Sequence, residues 1–246
     1  MNFTLILLII IGFVGKSIEK LPPTIPKCHR YDPNISNCIA KAIVDLKPQF
    51  KSGDFGGGYH VPKIEPLYIK DLNFGESQGL KIRIIDANIH GISKFKIEKL
   101  RVNMKTLKFE AQISIPKLTT YAKYQMQFNF LGYNLKTSGN YFTEQINTKI
   151  IFSSKLNRVL KNGTEVIRAD PFQIKYDHGT VTQLKMSNLS NGNKVLEDII
   201  NSILINNQEF AANNTHPTLE AYLSRLFTEI TNKILESTTY DEMFPL

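Results

Sequence analysis

The sequence predicts an α+β fold in which a strongly curved antiparallel β-sheet wraps a long C-terminal helical segment, with a short helix near the N-terminus. Three observations lead to it. From about residue 65 to residue 187 apolar residues recur at a period of two, the mark of strands with one wet face and one dry face. From Asn193 onward the period is 3.6, the mark of an amphipathic helix. The dry face of the sheet needs a cover, and this helical segment is the one long amphipathic element left to supply it.

In chain order, the opening MNFTLILLIIIGFVGKSIEK carries an apolar run from Phe3 to Val14, shorter than the roughly 20 residues a membrane-spanning helix needs. It reads as the apolar region of a secretory signal over residues 1–17, with Gly15 and Ser17 where cleavage would fall. Residues 18–246 are then a single extracellular domain. Export gives meaning to the two cysteines, Cys28 and Cys38. A zinc site needs about four ligands, and His29 does not complete a set. A redox pair is usually spaced C-x-x-C. In an oxidising compartment the two thiols most simply pair as a structural staple. The sequons at Asn34, Asn162, Asn188 and Asn213 agree with export, each lying in a stretch that reads as loop or turn.

The segment SNCIAKAIVDLKPQFKSG places Ile39, Ile43, Leu46 and Phe50 at helical spacing, with Gly53 ending the pattern and Pro48 marking a kink or an early end. DFGGGYHVPKIEP is a loop. In the sheet region Leu107, Phe109, Ala111, Ile113 and Ile115 share a face, as do Ala122, Tyr124, Met126, Phe128 and Phe130 further along. Ile146, Ile150 and Phe152 are assigned to one face, and Phe172, Ile174 and Tyr176 to another. Turn chemistry separates the runs, and Asn162-Gly163 is a strong two-residue hairpin signal. The C-terminal stripe comprises Val195, Leu196, Ile199, Ile200, Ile203 and Leu204, then Leu219, Tyr222, Leu223, Leu226, Phe227, Ile230 and Ile234. Pro217 reads as the first turn of a restarted helix, so the segment is one kinked helix or two.

With 42% hydrophobic and 21% charged residues the 246-residue chain is globular in composition, and its net charge is +8. Its lysines and arginines alternate with apolar residues, as in LKIRI and FKIEKLRV, which describes a solvated sheet face and argues against a nucleic-acid surface. GESQG fits G-x-S-x-G with Ser77 as nucleophile, but LKIRIID after it reads as strand, whereas the nucleophile elbow needs a helix there. DFG at 54–56 lacks the partner motifs of a kinase. His29, His60, His90, His178 and His216 are scattered and read as surface or turn residues. No metal site, catalytic site or cofactor is implied.

DPNISNCI at the cysteines, then IEPLYIKDL, GLKIRIIDANIHGISKFKIEKL and LKFEAQISIPKL, and a closing YDEMFPL, resemble in order and spacing the takeout and juvenile-hormone-binding-protein family of secreted insect proteins. The resemblance runs from Lys27 to Pro245. It implies a super-roll, one BPI-like half, whose sheet encloses an apolar tunnel, and it implies a Cys28–Cys38 disulfide. Juvenile-hormone binders typically carry a second disulfide that this chain has no cysteines to form, which points to the takeout-like branch. On this reading the protein is not an enzyme. It is a secreted carrier of a small hydrophobic ligand (fatty acid, terpenoid or juvenile-hormone-like lipid), with Phe109, Ile113, Tyr124, Phe128, Phe130, Ile146, Ile150, Phe152, Leu223, Phe227 and Ile230 as wall residues. Tyr124, Tyr133 or Tyr141 would orient the ligand. Transient contact with a membrane or a receptor is compatible with this; stable membrane insertion and nucleic-acid partners are not expected. The rival readings are a lipid-ester hydrolase acting through Ser77, and a lipid-surface interaction protein whose interior is filled and whose basic face is the active part.

Overall fold

The structure, a computed structural model, describes residues 21–246 apart from 23, 78–79, 131–132, 162, 191, 193 and 237. The apolar N-terminal run and the sequon residue Asn162 lie outside the described residues.

Helix α1 (Ile35–Asp45) is tied to the segment before it by the Cys28–Cys38 disulfide. Pro48 falls in the first turn of a separate helix, α2 (Lys47–Ser52), where its missing N–H is no loss. Helix α2 ends at Gly53 (φ 79°), where a Cβ would stand 2.5 Å from the Val61 carbonyl oxygen; turn and close approach both require glycine.

Among the described residues eight antiparallel strands follow: β1 (Leu67–Ser77), β2 (Leu80–His90), β3 (Lys96–Asn103), β4 (Lys108–Phe130), β5 (Tyr133–Lys161), β6 (Thr164–Ala169), β7 (Gln173–Asp177) and β8 (Thr180–Met186). β4 and β5 pair from Phe130↔Tyr133 to Lys108↔Lys155 and form the spine. The other strands line its edges, β1–β2 and β3 along β4, and β8, β7 and β6 along β5. The β5–β6 hairpin closes with Lys161↔Thr164 around Gly163 at φ 78°, as its sequence predicts. Strands this long twist, and bulges at Asn73/Glu76, Ile85/Asn88, Ile97/Lys99 and Glu144/Gln145 add local bend. The result is the strongly curled sheet expected.

The spine has a corner. On β4 Ile113 and Ile115 are buried, Pro116 and Lys117 are both exposed, and Leu118 is buried again. Opposite, Thr148 and Ile150 are buried while Asn147 is exposed, at φ 59°. The pairs Ile115↔Thr148, Lys117↔Ile146 and Leu118↔Gln145 keep one register through this point. Both strands therefore exchange their inward and outward faces together, with no slip between them.

The C-terminal segment forms α3 (Lys194–Asn206) and α4 (Gln208–Leu235). The break lies at Asn207, and Pro217 sits inside α4, so the predicted restart at Pro217 is displaced upstream. Packing of the α4 face overrides the lost proline hydrogen bond. The predicted α3 stripe is also corrected: Ile200 and Leu204 pack on Tyr124, Met186 and Leu189, but Val195 and Ile199 are 72% and 51% exposed. A polar contact sets this rotation. Asn201 on α3 accepts from Met186 N–H (2.9 Å) and donates to Met186 C=O (3.1 Å), turning the Ile200–Leu204 edge inward. Asn232 on α4 likewise accepts from Ala169 N–H (2.7 Å) and donates to its C=O (3.2 Å).

The ends of the domain meet. Arg30 donates through Nε to the Phe244 carbonyl (2.7 Å), pairs with Asp241, and lies 4.7 Å from the Tyr240 ring centre; Arg158 lies 3.8 Å from the same centre. Tyr240 opens a short helix, α5 (Tyr240–Met243), capped by the reciprocal Thr239–Glu242 hydrogen bonds.

Candidate functional site

Among the described residues, two cavities lie between the curled sheet and the helices. The first, about 320 Å³, runs along the β4–β5 spine on the α1 side of the corner, where Phe109, Ile113, Phe152 and Leu156 face Ile39, Ile43, Phe50 and Ile230. Met243 and Phe244 also line it. The second, about 270 Å³, lies beyond the corner, between Ile69, Leu72, Ile84 and Leu118 of the sheet and Leu204, Leu219, Leu223 and Leu226 of the helices. Ile64, Ile92, Ile115, Ile150 and Phe227 belong to both walls. These five residues form a waist at the corner, where the inward set passes from Ile115 to Leu118 on β4 and from Ile150 to Gln145 on β5.

The waist is held from outside by a carboxylate. Glu65 accepts the backbone N–H groups of Gly91 (2.8 Å) and Ser93 (3.0 Å), which fixes the 3-10 turn Ile92–Lys94 and with it Ile92. Burial alone would raise the Glu65 pKa, but these N–H donors and nearby His90 outweigh it and hold the carboxyl below its usual range.

The lining is almost wholly apolar, and among the described residues of either wall there is no Lys, Arg, Asp or Glu. The first cavity's wall has Ser154 and Thr231 as its polar residues, and the larger polar group lies in the second cavity. Tyr176 donates its hydroxyl to Gln145 Oε1 (3.0 Å), and His178 Nδ1 and His216 Nε2 are 3.2 Å apart. The His216 ring stands edge-on to Tyr176, with centres 5.1 Å apart. Tyr141 and Thr143 complete the patch. Burial pushes the Tyr141 and Tyr176 phenols up, so both remain O–H donors, and burial together with neighbouring His178 pulls His216 down.

Of the wall residues expected from sequence, Phe109, Ile113, Phe152 and Ile230 line the first cavity, Leu223 the second, and Ile150 and Phe227 both. Tyr124 lines neither: it is buried against Met186 and Leu189, and its hydroxyl donates to the Ser187 carbonyl (2.7 Å). Ile146 also lines neither, because the corner sets it on the other face from Ile150 and Phe152. The side chains of Phe128, Phe130 and Tyr133 lie outside the described ones. Of the five histidines read as surface or turn residues, His178 does sit in the turn between β7 and β8, but His216 lies half-buried inside α4; sequence distance hid the two from each other, and the β7–β8 turn and α4 bring them together. Sequence reasoning also left α1, α2 and α5 off the wall, although Ile39 and Ile43 of α1 and Phe50 of α2 carried the helical spacing of a face needing cover.

Ser77 is the last residue of β1 and pairs with Leu80 of β2, so GESQG lies at a strand-to-strand hairpin and not at a strand-to-helix elbow. Among the described residues no cluster of His, Cys, Asp and Glu is arranged to hold a metal, and no helix is long and apolar enough to cross a membrane.

A family model described as "Haemolymph juvenile hormone binding protein (JHBP)" matches residues 5–245. No curated protein is matched by sequence. Among solved structures, Takeout 1 of Epiphyas postvittana is similar with a TM-score of 0.75 at 20% identity, over 89% of this chain and 99% of that one. At that identity the likeness is one of fold. A lipopolysaccharide binding protein is matched with a TM-score of 0.37 at 13% identity, over 85% of this chain and 39% of that one.

Proposed function

Because the chain belongs to the haemolymph juvenile hormone binding protein family, we propose that it is an exported carrier that holds one small hydrophobic molecule across both cavities. The observation that supports this most directly is the shared wall: Ile64, Ile92, Ile115, Ile150 and Phe227 make the two spaces neighbours without a polar barrier. In this reading they form one tunnel with a waist. Phe109, Ile113, Ile150, Phe152, Leu223, Phe227 and Ile230 touch the ligand; Tyr124 and Ile146 do not. The ligand is a fatty acid, terpenoid or juvenile-hormone-like lipid.

The grip is transfer of apolar surface from water, without covalent chemistry. About sixteen buried methylenes gain roughly 12 kcal/mol gross at ~0.8 kcal/mol each. Association costs an estimated ~4–15 kcal/mol. Near-complete enclosure is therefore what makes binding useful, and a ligand reaching only one cavity forfeits much of the gain. Residues 1–17 serve as the export signal and 18–246 as the one mature domain. An oxidising destination keeps Cys28–Cys38 closed. Of the sequons, Asn34 is exposed just before α1 and suits a glycan, whereas Asn188 uses its side-chain nitrogen to donate to the Ser138 carbonyl (3.0 Å).

The test is organic extraction of freshly secreted protein followed by mass spectrometry, together with displacement of a fluorescent fatty-acid probe. A co-purifying lipid and saturable displacement are expected. An empty extract with no probe binding would overturn the carrier reading.

A further inference from the structure

The net charge of +8 is not spread evenly over the molecule. From Leu67 to Met186, the segment that forms the sheet, 19 lysines and arginines stand against nine aspartates and glutamates. From Lys194 to Leu246, the segment that covers its dry face, three stand against eight. The sheet segment is thus cationic by ten charges and the helical segment anionic by five, which gives the molecule a charge dipole that turns the sheet toward any anionic surface. We propose that the wet face of the sheet around Ile151 docks on the anionic surface of a lipid bilayer.

Strand register assembles the patch. Lys99, Gln112, Ile151 and Lys175 form one row across β3, β4, β5 and β7. On one side of it lies the row Lys96, Ser114 and Lys149; on the other lie Arg101, Glu110 and Ser153, then Lys108 and Lys155. Every lysine and arginine of these rows is exposed. Lys108 pairs with Glu110 (2.8 Å) and Lys175 with Glu220 (3.7 Å). Among the described residues, Lys96, Lys99, Arg101, Lys149 and Lys155 have no carboxylate within 4.0 Å. The face holds few carboxylates: Glu98 is engaged by the Ser114 hydroxyl, Glu110 by Lys108, and Asp177 at the edge by the Gly179 N–H (2.9 Å).

The make-up of the patch favours a bilayer over other polyanions. Four of its five unpaired cations are lysines, compact charges on flexible stems that can follow a fluid array of headgroups; a fixed carboxylate on a protein is better met by the rigid fork of arginine. At the centre stands Ile151, 52% exposed, hydrocarbon that a sulfated glycan or a nucleic acid has no use for and that the boundary between headgroups and acyl chains accepts. Behind the patch, Ala111, Ile113, Ile150 and Phe152 on the dry face of β4 and β5 line the first cavity. Docking and carriage therefore use opposite faces of the same two strands, and neither obstructs the other.

The experiment is flotation of the purified protein with phosphatidylcholine vesicles, with and without about 30% phosphatidylserine, at low salt and at about 0.5 M NaCl. Binding to the anionic vesicles at low salt is expected, about tenfold or more weaker on neutral vesicles and at high salt. Lys99→Gln with Lys149→Gln should weaken it about twentyfold, at about fivefold per cation removed. Ile151→Ser should weaken it severalfold. Lys51→Gln with Lys233→Gln removes as much charge from α2 and α4 and should leave binding within about twofold. Urea unfolding midpoints report that each variant is folded. Equal binding to both kinds of vesicle, binding to neither, or an equal loss from both lysine pairs would overturn the assignment. Retention on a sulfated-glycan column without vesicle binding would overturn it too, and would make a polysaccharide the partner. Flotation needs no cargo, so none of these outcomes touches the carrier reading.

Discussion

Asn232 of α4 completes the hydrogen bonding of Ala169 at the end of β6, taking its N–H at 2.7 Å and answering its C=O at 3.2 Å, as a neighbouring strand would. A side chain thus substitutes for a ladder partner at a strand end and fixes the long helix along its own axis. Asn232→Ala leaves both backbone groups of Ala169 without that partner. It should destabilise the domain by about 2–3 kcal/mol. Urea unfolding measures the loss, and amide exchange at Ala169 should accelerate.

Tyr124 separates packing from binding. Its hydroxyl is spent on the Ser187 carbonyl and its ring lines neither cavity. Tyr124→Phe should cost about 1 kcal/mol of stability and leave lipid affinity unchanged. A several-fold loss of lipid affinity in a folded Tyr124→Phe protein would put this residue back in the wall.

Glu65 makes the waist acid-sensitive. Its folded pKa lies below the 4.5 of an unstrained carboxyl, so its contribution is fully present above pH 4.5 and drains away as pH falls through the lower folded value. Glu65→Gln should lower stability at neutral pH by about 1–3 kcal/mol and flatten the decline of the unfolding midpoint below pH 4.5. Paired thermal melts across that range test the sign.

The waist should set the length of chain accepted. Ile115→Phe narrows the point where both walls meet. Each methylene shut out of the second cavity then costs about 0.8 kcal/mol, or roughly fourfold in affinity. A chain-length series of fatty alcohols should show affinity rising normally for short members and levelling off early in the variant.

The disulfide closes a loop of ten positions. Cys28→Ser with Cys38→Ser should lower stability by about 2–3 kcal/mol. Because Cys28 also lines the first cavity, the same variant should weaken probe binding there more than loss of an external staple would.

The order of helix, long meander and helices was legible because periodicity reports which face of an element is dry. Phe109, Ile113, Phe152, Leu223 and Ile230 followed from that parity and reached the wall. Ile146 did not, because parity is only as good as the strand's regularity, and parity switches at Pro116–Lys117 and Ile146–Asn147, where a proline and a left-handed asparagine inside the strand runs mark the irregularity. Val195 and Ile199 were misplaced for a related reason. An apolar stripe is wider than the contact available to it, and Asn201, a polar residue, chose which edge turned inward. The histidine pair could not be seen at all from the chain, since it depends on where β7 and α4 come to rest.

The wall of the first cavity draws on Ile25 and Pro26 near one extremity of the described chain and on Met243 and Phe244 near the other. No partial length of polypeptide completes that wall, so its assembly comes late in folding and loop-closure entropy must be met before it is rewarded. Until both extremities dock, the greasy walls face water. Partly folded molecules should therefore bind apolar dyes strongly and associate with one another, and lipid present during refolding should act as a template that spares them that fate.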